Sequence, residues 1–304
     1  MISKRHIKII FSLVLLGYVA RSVDFGRLTR LMMSIPLTTV CILCGGYFIG
    51  QVLSSLKWWI LARSCRLDTS FLDTLRIYFT AMFVNLAGIG TLGGDMLRGI
   101  LIGSSQAKKT VGIATVIADR VHGLAVLAAL GSVSIGVFSG GTLPATFAVA
   151  LCVLGAAIML GWFIGPRVLL AVMPASSFLH QKTADFSSAF PTQPRTIMTI
   201  TLVSLVFHLL QVSLHLSIAS GLGIQVSVTT LLTIVPFINI VSSLPISWQG
   251  LGVRETAYKF FFVPTICSTE QAVAFGALWL LAITSSALVG GLVGFLSRAI
   301  QSEH

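Results

Sequence analysis

Two interrupted stretches of this chain combine acids, arginines and helix-breaking residues within otherwise apolar sequence. Each opens with Phe-x-Asn, passes through glycines, and closes with an acid and an arginine near each other. The polar residues and glycines are Asn85, Gly93, Gly94, Asp95 and Arg98 in the first stretch, and Asn239, Gly250, Gly252, Arg254 and Glu255 in the second. Interrupted apolar segments at corresponding places in two halves of a chain point to a substrate site within a membrane.

The two arginines are suited to hold a phosphate, because a planar guanidinium forms paired hydrogen bonds to phosphate oxygens and keeps its charge. We expect Arg98 and Arg254 to contact a lipid headgroup, and Asp95 and Glu255 to orient them. An alternative stays open, in which these charges pair with one another and fix the interrupted segments in the protein, since buried charges are commonly paired whatever their function. Both interpretations can hold at once.

The glycines stand just before each helix is expected to resume. Gly93 and Gly94 precede a short helix predicted over residues 95–102, and Gly250 and Gly252 precede the second one. Glycine lets backbone approach a ligand, and a helix N-terminus presents free N–H groups to an anion. The alternative is a plain tight turn, which any hairpin within a membrane requires.

A third charged group lies near the middle of a long apolar stretch at residues 110–138 and consists of Asp119, Arg120 and His122. Charge at membrane depth is costly, so such residues usually face a bundle interior or a water-filled cavity. We predict that these three side chains line the substrate path. For His122, a hydrogen-bonded contact between helices is the alternative.

Composition excludes an ordinary soluble globule. Mean hydropathy is +0.95, 55% of residues are hydrophobic and 10% are charged. The net charge of +11 comes mostly from lysines and arginines at the ends of apolar runs, which favours cytoplasmic loops and contact with anionic lipids over binding of nucleic acid. Cys41-x-x-Cys44 lies within an apolar helix without a second ligand pair, so we interpret it as packing and predict no metal and no cofactor.

The hydropathy pattern predicts an all-α, polytopic membrane protein in the cytoplasmic membrane, with about six full spans and two re-entrant helical hairpins. Basic connections near 57–66, 108–109 and 167–195 should face the cytoplasm, and uncharged ones at 139–143 and 221–226 the outside. The hairpins would then enter from opposite faces, in a single domain over 1–304 whose inverted repeats cover about 36–138 and 142–298. The loop-charge rule is contradicted by three arginines on the outer side, Arg21, Arg27 and Arg30.

Nearly the whole chain resembles the lysylphosphatidylglycerol synthase transmembrane region, also called the flippase-like family or uncharacterised protein family 0104. The resemblance is carried by Asp119-Arg120 and by two motifs, Gly93-Gly94-Asp95-x-x-Arg98 and Leu244-Pro245-x-Ser247-x-x-Gly250-x-Gly252-Val-Arg254-Glu255. It implies a bacterial or archaeal membrane domain that moves or presents lipids. Some stand-alone relatives are associated with hopanoid transport or occur beside polyprenyl-linked glycosyltransferases. Because the sequence ends at His304 without the synthase domain, aminoacylation of lipid is not expected.

Three functions follow as hypotheses. The first is a transporter-like lipid translocase or lipid-transport protein, handling an anionic or isoprenoid lipid, with membrane lipids as its partners. Enzymatic activity stays open and would require a site built wholly inside the bundle. The second is a membrane component of a polyprenyl-linked glycosyltransferase system in cell-envelope biogenesis, or the partner of such a glycosyltransferase or of a lipid-modifying enzyme. The third is a scaffold whose buried charges serve packing alone.

Overall fold

A computed structural model describes residues 4–89, 91–104, 106–138, 144–172, 183–184, 186–244 and 246–301. These residues form helices and no strands, which confirms the all-α prediction. The helices are α1 (Lys4–Ala20), α2 (Phe25–Met33), α3 (Leu37–Ser64), α4 (Phe71–Val84), α5 (Thr91–Ser104), α6 (Lys109–Phe138), α7 (Ala145–Val172), α8 (Pro194–Gly221), α9 (Val228–Ser243), α10 (Val253–Phe262) and α11 (Thr269–Gln301). The predicted outer connection at 139–143, much of the polar connection before α8, and Pro245 lie outside the described residues.

Five of the described helices, α3, α6, α7, α8 and α11, are long and apolar enough to cross a membrane. A bent pair formed by α1 and α2, with 94° between its helices, would make a sixth span. Apolar side chains point away from the bundle, as lipid-facing helices require: on α7, Val149 and Val153 are 62% and 63% exposed. The chain is therefore a multi-pass membrane protein.

The first interrupted stretch is a hairpin. Its legs, α4 and α5, have 14 residues each, or about 21 Å, which is too short for the roughly 30 Å hydrocarbon core. The chain reverses at a π-helical turn over Asn85–Ile89. At the open end, Gln106 donates to the carbonyl oxygen of Asp68 (2.8 Å) and accepts from its N–H (3.1 Å). The first hairpin therefore begins and ends on the same side of the protein.

The second interrupted stretch is built in the same way from α9 and α10, which have 16 and 10 residues. Its tip contains three residues in the left-handed region, Gln249, Gly250 and Gly252, with φ of 56°, 76° and 79°. At the open end, the side-chain amide of Gln271 donates to the carbonyl oxygen of Leu222 (3.1 Å). A glutamine amide therefore closes each hairpin.

The open ends of the hairpins lie at opposite ends of α3. Asp68 follows the C-terminus of α3 closely, whereas Gly221, next to the second open end, packs on Thr39 near its N-terminus. The 28 residues of α3 separate these ends by about 42 Å. The hairpins thus enter from opposite sides, as loop charge predicted, while the internal symmetry of an inverted repeat stays a prediction.

Close crossing of α5 and α6 sets the position of the charged residues. A Cβ on Gly112 would overlap the carbonyl oxygen of Gly99, so both positions require glycine for the two backbones to touch. Arg98, beside Gly99, is thereby brought across from Asp119 on α6. The helix α5 begins at Thr91, earlier than the predicted start at Asp95, so Gly93 and Gly94 lie within its first turn.

Candidate binding cavity between the hairpins

A cavity of about 440 Å³ is lined by residues from both hairpins. Its volume is in the range of small-molecule sites, about 300–1,000 Å³. The charged side chains that line it are Lys57, Asp95, Arg98, Asp119, Arg120 and Arg254. The neutral polar residues that line it are Tyr47, Gln51, Ser54, Tyr78, Asn85, His208, Gln211, Asn239, Ser242, Ser243 and Gln249. Five predicted charged residues and both predicted asparagines are therefore brought together.

Asp119 is the centre of a network of five charges. One of its carboxylate oxygens lies 2.9 Å from Nζ of Lys57, and the other lies 3.2 Å from Nη2 of Arg98. Nε of Arg98 lies 3.2 Å from Asp95, whose second oxygen pairs with Arg120. Three cations share two carboxylates, so this network keeps one positive charge in excess.

Two neighbouring aromatic rings contact the guanidinium of Arg98. Its Cζ lies 4.9 Å from the ring centre of Trp58 and 5.0 Å from that of Tyr78, within the range of cation–π contacts. Two carboxylates and two rings fix this arginine in place, yet Nη1 of Arg98 is buried and has no hydrogen-bond partner among the described residues. It is the part of the side chain whose hydrogen-bonding capacity is left unused among the described residues.

Arg254, on the second hairpin, is held much more loosely. It is 6% exposed, and its Nη2 donates to the carbonyl oxygen of Gln249 at 3.3 Å. Its Nε and Nη1 are buried without a hydrogen-bond partner, and no carboxylate in the described part of the chain forms an ion pair with it. Arg254 is thus a buried cation without an ion-pair partner among the described residues.

Glu255 does not orient Arg254, contrary to our expectation. Its Oε2 accepts from the N–H of Gly252 at 2.6 Å, which closes the N-terminus of α10. A glutamate at this position both caps a free N–H and interacts favourably with the positive end of the helix dipole. The carboxylate is used locally, and Glu255 lies outside the cavity lining.

His122 and the four glycines also lie outside the lining. Nε2 of His122 is 3.1 Å from Oγ1 of Thr201 on α8, which is the helix–helix contact held open as the alternative. A Cβ on Gly94 would overlap the carbonyl oxygen of Ala81, and the N–H of Gly94 already donates to Oδ1 of Asn85 (2.8 Å). The glycines therefore fit the alternative, a tight turn, better than a role in binding an anion.

Sequence reasoning missed Lys57, which was assigned to the cytoplasmic loop charges. It lies two turns inside α3, is 6% exposed, and donates to the carbonyl oxygen of Asp119 (3.0 Å) as well as pairing with its side chain. A signal was present, since Tyr47, Gln51 and Ser54 recur at helical spacing and mark one polar face of α3 just before it.

The amides of the two hairpins differ in their bonds. Asn85 ties the legs of the first hairpin together, whereas Nδ2 of Asn239 donates to Oε1 of Gln211 on α8 at 3.2 Å. Tyr78 donates to Oγ of Ser54 at 2.9 Å. The cavity thus has a cationic part and a neutral wall of amides and hydroxyls, which suits an anionic group.

None of the five cysteines is in a disulfide, and two lie beyond the spanning helices. Burial raises the pKa of the Cys65 thiol and raises that of Cys267 to about 11. A protonated thiol behaves as a small apolar side chain.

Fold and site together define a helical membrane protein with two opposed hairpins around a cationic cavity. The family model of the lysylphosphatidylglycerol synthase TM region matches residues 6–291. The chain belongs to that family, which confirms the resemblance. A comparison with curated proteins found no match.

Proposed function

We propose that this chain is a lipid translocase of the cytoplasmic membrane, which moves a lipid with an anionic headgroup between the two leaflets. The headgroup binds in the cavity between the hairpin tips, while the hydrocarbon tail stays among the apolar outer faces of the helices. Arg98 and Arg254 donate to the phosphate. Membership of a lipid-related family supports this reading.

The observation that carries the proposal is the state of Arg254. Its guanidinium is buried at the tip of a hairpin, and its Nε and Nη1 have no hydrogen-bond partner and no ion pair with an acid among the described residues. A buried cation without a counter-charge is costly within a membrane. A bound anion removes this cost, and a phosphate matches the fork of the guanidinium.

The opposed hairpins support a function in moving the lipid between the leaflets rather than only binding it. A site between two short hairpins that enter from opposite sides can be opened to either side by rearranging one hairpin against the other, as inverted-repeat transporters do. The short legs of both hairpins and the cavity between their tips supply the required parts.

The test is lipid translocation in liposomes that contain the purified protein. Fluorescent phosphatidylglycerol and fluorescent phosphatidic acid, each labelled on an acyl chain, are quenched from outside in separate preparations, and the rate at which the protected pool becomes accessible is measured. We expect Arg254→Ala to slow this rate by about tenfold or more, since a hydrogen bond to a charged group contributes roughly 1.5–3 kcal/mol.

Lys259→Ala is the matched control. Lys259 is a cation on the same helix, but its Nζ donates to Oγ of Ser22 (2.7 Å) and the residue lies outside the cavity. It should transport at the rate of the unaltered protein. If Arg254→Ala also transports at that rate at equal protein content, the proposal is wrong.

A further inference from the structure

We infer that the phosphate this cavity accepts carries two negative charges, as a phosphomonoester or diphosphate does, and is not the singly charged phosphodiester of most phospholipids. The inference rests on the proposed function and specifies the chemical class of the headgroup. Its basis is the charge of the cavity and the free N–H groups of two arginines.

The cavity lining carries an excess of two positive charges when His208 is counted as neutral. Two carboxylates, Asp95 and Asp119, stand against four cations, Lys57, Arg98, Arg120 and Arg254. One excess charge belongs to the network around Asp119, and the other is Arg254. On the first hairpin, the charge of Arg98 is balanced by Asp95, whereas the second hairpin brings Arg254 to the cavity lining without an acid.

Uncompensated charge is costly where the dielectric constant is low, so the ligand that fits best is the one that cancels the excess. A phosphodiester carries one negative charge and leaves one cation unbalanced. A phosphomonoester carries about −1.5 to −2 at pH 7 and cancels most of the excess.

The hydrogen-bond donors without partners also favour a doubly charged phosphate. Nη1 of Arg98 comes from the first hairpin, and Nε and Nη1 of Arg254 come from the second; all three atoms are buried without hydrogen-bond partners among the described residues. A phosphomonoester presents three terminal oxygens, so it can accept from two guanidinium groups at once. A diester has only two such oxygens to share between them.

The size of the cavity limits the ligand to a single headgroup. The cavity of about 440 Å³ is that of a site for one small ligand, so a single group has to supply both charges. A second lipid headgroup would have to bind in the same volume.

The test compares phosphatidic acid with phosphatidylglycerol of identical acyl chains, titrated against the detergent-purified protein and followed by native mass spectrometry. We expect phosphatidic acid to bind about tenfold more tightly, a difference of ~1.4 kcal/mol. Arg254→Gln removes one excess charge, so the preference should fall to within about threefold. Lys259→Gln, a cation removed outside the cavity, should keep the full preference.

Phosphatidylcholine, with no net headgroup charge, and inorganic phosphate separate the outcomes. Equal binding of phosphatidic acid and phosphatidylglycerol, both above phosphatidylcholine, overturns the two-charge inference and leaves the proposed function standing. Binding of neither above phosphatidylcholine overturns both. Displacement of phosphatidic acid by inorganic phosphate at equal concentration supports the two-charge site but assigns it to free phosphate.

Discussion

The two hairpins share a plan and differ in how they use their acids. Each reverses the chain inside the protein, is closed at its open end by a glutamine amide, and brings an asparagine and an arginine to the same cavity. In the first hairpin Asp95 faces Arg98 at 3.2 Å. In the second, Glu255 accepts from the backbone and forms no ion pair with Arg254, which bonds only to the carbonyl oxygen of Gln249 among the described residues.

Spacing explains the difference. Asp95 and Arg98 are three residues apart on α5, so their side chains lie on one face of the helix. Arg254 and Glu255 are adjacent on α10, and neighbouring side chains on a helix do not face each other. Two motifs with the same residue types therefore build a fixed, nearly balanced charge network on one side and a free cation on the other.

The largest expected effect comes from removing the centre of the fixed network. Asp119→Asn leaves Lys57 and Arg98 buried without their shared counter-charge. Loss of one partner of a buried ion pair costs about 3–5 kcal/mol. We expect a marked fall in the unfolding temperature, measured in detergent.

Asp73→Asn is the control for that loss. Asp73 pairs with Arg76 at 3.7 Å on the first hairpin, but both side chains are 59% exposed. Such pairs contribute about 0–1 kcal/mol. If both variants unfold at the same temperature, the network around Asp119 does not stabilise the fold.

The next comparison separates the two acids directly. Asp95→Asn removes the charge that holds Arg98 and Arg120, and we expect it to lower stability by about 1.5–3 kcal/mol. Glu255→Gln keeps an oxygen that accepts from Gly252, because glutamine also serves in this capping position, and should cost less than about 1 kcal/mol. Thermal unfolding measures both. A larger loss for Glu255→Gln would show that its charge has a role beyond the cap.

Much of the architecture could be predicted because a membrane leaves few choices. In lipid, backbone N–H and C=O groups must form their hydrogen bonds within helices. Long apolar runs therefore predicted the spans, and helix-breaking residues within such runs predicted both hairpins. The distribution of charge among the loops predicted that the two hairpins enter from opposite sides. The chemistry of the cavity also followed in part, since charged residues at membrane depth face the interior, as Asp95, Arg98, Asp119, Arg120 and Arg254 do.

The rest depends on which way side chains point, and single spacings do not fix that. Lys57 was assigned to the solvent because a lysine near the end of a span usually marks a loop, whereas its partner Asp119 is 62 residues away. His122 was placed in the path because it follows Asp119 by three residues, but α8 offers it Thr201 instead. Glu255 met a competing local partner, the N-terminus of its own helix.

The smallest change in stability is expected at Arg254, and this variant tests the difference between the two hairpins most directly. Arg254→Met replaces a lone buried cation with an apolar side chain of similar length, a type of change that is often neutral or stabilising for buried charges. We expect the unfolding temperature without added lipid to stay the same or rise, while stabilisation by phosphatidic acid is lost. Arg98→Met, which leaves Asp95 and Asp119 without their shared partner, should instead unfold at a clearly lower temperature. Equal losses in both variants would mean that Arg254 is paired before any ligand binds, and the two hairpins would then not differ as their contacts indicate.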